Sequence, residues 1–125
     1  MAPEKLSPQQ LSARLSHFCG SEELFRHWLG GMLYTEGVKF LAEQAGAYWL
    51  IDAIASHQPK CRRDPMLQEF QAWTLTVKAD RSARLVCERD SGDEAFAQDI
   101  EYSDFPLPEI KLFVENNTLL LPSEH

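Results

Sequence analysis

The stretch EGVKFLAEQAGAYWLIDAIASH, residues Glu36–His57, decides the fold. Thr35 precedes it as a plausible N-cap, so the spacing predicts one long helix from Glu36 to about His57. Gly37 and Gly46 weaken that helix slightly. At about 100° per residue, Val38, Leu41, Ala42, Ala45, Tyr48 and Trp49 fall on one side. Phe40, Ala47, Leu50, Ile51 and Ile54 fall on the other. The second half is therefore apolar nearly all round, which is expected of a central helix contacted on several sides. Gln58-Pro59 is read as its end.

One acid, Asp52, interrupts that apolar run. It projects between Leu41, Ala45 and Tyr48. A bare buried carboxylate is too costly, so it needs partners or a proton. The plainer reading is a hydrogen-bonded brace to a backbone end or an arginine. The sharper one is a catalytic or ligand-binding acid, with Tyr48 and a histidine such as His57 lining a pocket. A carboxylate that simply reaches water is the third.

Toward the N-terminus, Ser7-Pro8 reads as an N-cap with proline in the first turn. Leu11, Leu15 and Phe18 recur at helical spacing up to Gly20. Ser21 starts a second helix carrying Leu24, Phe25, Trp28 and Leu29, which Gly30-Gly31 stops. Toward the C-terminus, KCRRDP (60–65) reads as an exposed basic loop, and the period then changes to two. Phe70 to Val77 and Ala83 to Glu88 are strands. Asp90-Ser91-Gly92-Asp93 is a hairpin turn. Ala95 to Tyr102 returns, with a bulge suspected near Gln98. Asp104 to Pro108 is a rigid corner. Ile110 to Val114 and Thr118 to Leu121 close a last hairpin around Asn116-Asn117. Helices first and strands second imply an α+β fold. N-terminal helices including one long central helix (layer about 7–58) should pack on a C-terminal antiparallel β-meander of four to five strands (about 69–122).

The chain has 125 residues, 44% hydrophobic and 25% charged, which suits a single domain with its own core. The N-terminus lacks the apolar segment of a secretory leader, and the three cysteines are an odd number at irregular spacing, so a reducing, cytoplasmic setting is expected. No run is long enough to cross a bilayer. The net charge is −7, and all of the excess lies after Arg63. That half would repel phosphates, so direct nucleic-acid binding through it is disfavoured. A basic protein partner, or simple solubility, fits better.

Motifs for chemistry are sparse. His17, Cys19 and His27, with Cys61 and Cys87 elsewhere, match no standard zinc spacing, and helix-end histidines with semi-buried thiols are the plainer reading. No glycine-rich elbow supports a catalytic cysteine. There is no phosphate loop, dinucleotide fingerprint or metalloprotease helix. No metal or cofactor is expected. Asp99, Glu101 and Asp104 could hold a divalent cation or an arginine-rich partner, but charges that keep an edge strand from pairing explain them more simply. Arg84 lies opposite and could neutralise part of that cluster. Trp28, Trp49 and Trp73, one on each of three elements, read as one core cluster rather than a base-stacking platform.

Three segments, LYTEGVKFLAEQAGAYWLIDAIAS (33–56), FQAWTLTV (70–77) and YSDFPLPEIKLFVENNTLLLPSEH (102–125), resemble a family of small uncharacterised bacterial proteins, a domain of unknown function. The resemblance runs from about Leu11 to His125. It implies occurrence on plasmids and other mobile elements as well as chromosomes, a complete protein, and no established activity or catalytic residues. It hints at accessory roles such as countering host defence.

Three functional expectations follow. The first is a non-enzymatic protein-binding factor that uses Glu88, Asp90, Asp93, Glu94, Asp99, Glu101 and Asp104 to engage a basic protein surface. Such a surface could be one that ordinarily holds nucleic acid, making this chain a mimic or inhibitor. The second is a small enzyme or ligand-binding domain around Tyr48, Asp52 and His57. A homo-oligomer whose acidic face only confers solubility is a third.

Overall fold

Gly46 divides the stretch expected to form one helix. A computed structural model describes residues 6–17, 23–28, 31–89 and 92–124. In it Gly46 takes the left-handed conformation, φ 62° and ψ 38°, and its N–H donates to the Ala42 carbonyl. Glycine has no Cβ to clash there, so it caps one helix rather than sitting inside a longer one. The outcome is α2 (Glu36–Ala45) and α3 (Tyr48–Cys61). Thr35 caps α2 as expected, its hydroxyl accepting from the Val38 N–H. α3 has no side-chain cap. It also runs through Pro59, which has no N–H to donate to the Ala55 carbonyl, and ends two residues later at Cys61. Lys60 and Cys61 of the expected loop are thus helical, and Cys61 is buried. α1 (Pro8–Leu15) begins with a capping box between Ser7 and Gln10.

The second expected helix is not formed. Leu24–Arg26 is strand β1 and Leu33–Thr35 is β2, paired antiparallel with Phe25 opposite Tyr34. Gly31 at φ 78° turns the chain, and the His27 N–H closes the hairpin on the Met32 carbonyl. Three-residue strands are too short to display a period of two, and Leu24, Phe25 and Trp28 fit a helical spacing equally well. The remaining elements are α4 (Pro65–Glu69), β3 (Phe70–Val77), β4 (Ala83–Glu88), β5 (Glu94–Ile100), β6 (Glu109–Glu115), β7 (Thr118–Leu120) and a 3₁₀ turn, Pro122–Glu124.

The seven strands form one mixed sheet in the order β1-β2-β7-β6-β3-β4-β5. This corrects the expected four-to-five-stranded antiparallel meander under one long helix. β2 pairs with β7 in parallel, Leu33 beside Thr118 and Tyr34 beside Leu119, and the other neighbours are antiparallel. The early hairpin therefore adds to the sheet beside the last strand. Asn116 and Asn117, at φ 51° and 60°, make the two-residue turn between β6 and β7. The bulge falls where Cys87 and Glu88 face Phe96 and Glu94, at the opposite end of β5 from Gln98. Asp90 and Ser91 of the expected turn lie outside the described residues, as do Phe18, Cys19, Gly20, Ser21, Leu29, Gly30 and His125.

Alternation along the strands sends Trp73, Leu75, Leu85, Cys87, Leu112, Val114 and Leu119 to one face, where they join Leu11, Leu15, Val38, Leu41, Leu50, Ile51 and Ile54 in a single core. The opposite face displays Thr74, Arg84, Val86, Lys111 and Phe113. Two buried amides sit inside the core. Gln58 and Gln71 exchange hydrogen bonds of 2.9 and 3.0 Å, and the Trp73 indole N–H donates to Gln71 Oε1 at 2.8 Å. The tryptophans do not cluster: Trp73 is buried, Trp49 is half-buried, and Trp28 is 79% exposed. Among the described residues no helix is long and apolar enough to cross a membrane.

Candidate functional site

Two surfaces carry the residues singled out above, and they lie at opposite edges of the sheet. The first is built where β1 ends. Hairpin closure at His27 turns its imidazole toward α3, where Nε2 lies 2.6 Å from Asp52 Oδ1. The histidine side chain is 5% exposed and that of the aspartate 52%. Asp52 is therefore not a carboxylate enclosed by α3's apolar arc. It stands at the surface, held by a buried histidine. A carboxylate can only accept, so Nε2 carries the shared hydrogen, and a pair this short is charge-assisted. Trp28 stacks on the imidazole, ring centroids 5.5 Å apart at 28°.

Tyr48 is one turn before Asp52 on the same helix and 44% exposed. Its hydroxyl is 3.4 Å from Glu43 Oε1. Partial burial, with the Glu43 carboxylate and the Tyr34 hydroxyl nearby, raises the phenol above its ordinary value. Tyr34 packs on Phe25 at 5.6 Å, and Lys39 Nζ sits 4.3 Å from the centre of the Phe25 ring while reaching Glu43 at 3.9 Å.

His57 does not join Asp52. Its position on α3 points it to the other edge, where Nε2 meets Gln98 Oε1 at 2.9 Å and the ring lies near Trp73 and Phe96. The structure thus brings together Tyr48 and Asp52 with His27. Nothing in the spacing of residues 25 apart identifies that histidine. The one clue was that a carboxylate on a largely apolar helix needs a partner.

The second surface is the β4–β5 edge. Asp93, Glu94, Asp99, Glu101 and Asp104 are exposed, and Glu88 is half-buried. Asp90 lies outside the described residues. Arg84 bridges Glu94 at 2.9 Å and Asp99 at 3.2 Å, the cross-strand pairing the alternation implied. Arg89 bridges Asp64 at 2.6 Å and Asp93 at 3.4 Å. Glu88 accepts the Gly92 N–H at 2.6 Å. Glu101 and Asp104, on the irregular segment behind β5, make no ion pair among the described residues. Two arginines thus hold part of the cluster in fixed geometry, and carboxylates remain in excess.

Cys61 and Cys87 are buried free thiols in mutual contact. The hydrogen bond with Cys61 and burial push the Cys87 thiol above its usual range. Among the described residues no group of three or more histidine, cysteine, aspartate or glutamate side chains is placed to hold a metal ion. A cleft of about 440 Å³ lies beside Gln58, Arg62, Gln68 and Gln71, away from both surfaces.

Comparison with protein families finds a match to a family of unknown function, DUF6876, over residues 9–125. Neither the curated proteins nor the solved structures contain a match.

Proposed function

The chain belongs to DUF6876, a family of unknown function, and from that premise we propose that it is a non-enzymatic factor that binds a basic protein surface through the β4–β5 edge. One observation carries the reading. Five exposed carboxylates, Asp93, Glu94, Asp99, Glu101 and Asp104, follow one another along an edge strand and the segment behind it. Arg84 pre-positions two of them, which lowers the cost of ordering side chains on association. Such a field speeds and orients the encounter with a cationic partner. The reading extends to an accessory role on bacterial mobile elements, in the cytoplasm, where the basic surface would ordinarily hold nucleic acid and this protein would compete for it.

The test is affinity capture from the native host across a salt series. Partners held by this edge are released well below 1 M salt, because the Debye length there is about 3 Å. Partners retained unchanged at 1 M salt contradict the reading.

The 2.6 Å contact between His27 and Asp52 favours a second reading, a ligand site at the opposite edge formed by Asp52, Tyr48 and their neighbours. Loss of ligand binding in Asp52→Asn, with thermal stability retained, supports it. Loss of stability in Asp52→Leu, which offers His27 no acceptor, with ligand binding unchanged in Asp52→Asn, instead marks Asp52 as a brace.

A further inference from the structure

We propose that Trp28, Tyr48 and Asp52 form a receptor for one guanidinium group, the arginine side chain of a protein partner. The proposal rests on the second reading above and names its ligand class. Trp28 presents a 79% exposed indole and Tyr48 a 44% exposed phenol, although large aromatic side chains are usually well buried. Exposed tryptophan and tyrosine are enriched where proteins meet partners.

The chemistry of the patch selects a cation. Aromatic faces carry negative charge density and attract cations laid over them. Asp52 links them: its carboxylate meets the imidazole on which Trp28 stacks, and it follows Tyr48 by one turn of α3. Oδ1 is held by His27, and Oδ2 has no hydrogen-bond partner among the described residues. Glu43 adds a second carboxylate beside Tyr48. Lys39 is held between Glu43 and the Phe25 ring, and no lysine or arginine pairs with Asp52 among the described residues. Lys39 over Phe25 also shows this end of the molecule seating a cation on an aromatic face.

A guanidinium suits the remaining features better than an ammonium. It is planar, so it can stack on the indole while donating in its own plane to a carboxylate oxygen. His27 does not touch the ligand in this arrangement. It is a positioning residue that fixes the carboxylate at the rim.

The test uses the full-length protein labelled with ¹⁵N and the blocked peptide acetyl-Gly-Arg-Gly-amide. A peptide with citrulline in place of arginine, which has nearly the same shape without the charge, is the control. The arginine peptide should shift the Trp28 indole N–H and the Asp52 backbone amide in a saturable way, and the citrulline peptide should bind at least severalfold more weakly. Trp28→Ala and Asp52→Asn, with urea unfolding midpoints near wild type, should each weaken binding about two- to fivefold, read at the amides. Equal shifts with both peptides overturn the guanidinium assignment while a ligand site there stands. No shift with either peptide overturns both. Unchanged affinity in Asp52→Asn overturns the role of the carboxylate.

Discussion

His27 Nε2 and Asp52 Oδ1 are 2.6 Å apart, a contact that fastens the β1 edge of the sheet to α3. The histidine is buried, so its N–H needs an acceptor. Asparagine at position 52 still offers a carbonyl oxygen, and leucine offers none. Asp52→Asn should therefore cost less than about 1 kcal/mol, and Asp52→Leu about 1–2 kcal/mol. Urea unfolding measures both. Equal losses would show that the hydrogen bond contributes nothing to stability.

Gly46 and Gly37 should respond differently to alanine. At Gly46 a Cβ would meet open space, so only the positive φ is penalised, at about 1 kcal/mol. At Gly37 a Cβ would lie 2.7 Å from both Leu121 Cδ1 and Glu124 Oε1. Glu124 also accepts from the Thr35 hydroxyl at 2.7 Å. Gly37→Ala must displace that C-terminal turn, a cost of about 1–3 kcal/mol. Thermal melts of the two variants compare them. A Gly46→Ala protein as stable as wild type would contradict the break between α2 and α3.

That break marks the limit of what the sequence made legible. Strands β3 and β4 follow a period of two closely enough to be read to the residue, and Asn116-Asn117 marks the last hairpin. The helical period of Glu36–His57 is equally real, but it persists across Gly46 because α2 and α3 both bury apolar residues. Periodicity reports which face is buried and not whether the axis is continuous. β1 and β2 are three residues each, and β2 becomes part of the sheet only by pairing with β7, more than eighty residues later. At the site, Tyr48 and Asp52 were readable as helical neighbours. His27 was not, because its place depends on the unread hairpin. Trp28, expected in the core, is exposed for the same reason.

Acid should weaken the fold in a defined window. The hydrogen bond from Arg89 holds the Asp64 carboxyl below the usual carboxylate range, and the Ser82 hydroxyl and N–H do the same for Asp80. A depressed folded-state pKa contributes stability that is fully present above the unfolded value, about 4, and is lost as pH falls through the folded one. Wild-type stability should thus decline below about pH 4. Asp64→Asn should start lower at neutral pH and decline less steeply. Urea midpoints at pH 7 and pH 3 give the comparison, and parallel declines would remove Asp64 from the explanation.

The buried polar contacts of Gln71 offer a further prediction. Gln71→Leu leaves the Trp73 indole N–H without its acceptor and Gln58 Oε1 without its donor, while Gln58 Nε2 keeps the Ile54 carbonyl. Each orphaned group costs about 1–3 kcal/mol, so this swap, although it makes the core more apolar, should be strongly destabilising. Replacing Gln58 and Gln71 together by leucine should cost less than the sum of the two single changes, because only the indole then lacks its acceptor. A double-mutant cycle that is additive would contradict the network.

The claim that the β4–β5 edge is the binding surface is tested most directly by moving charge reversal around the molecule. Glu101→Lys with Asp104→Lys changes two carboxylates on that edge, and Glu23→Lys with Glu69→Lys makes the same change in net charge at exposed positions elsewhere. Partner capture from the host should collapse for the first pair and persist for the second. Equal capture by both variants, whether retained or lost, would contradict it.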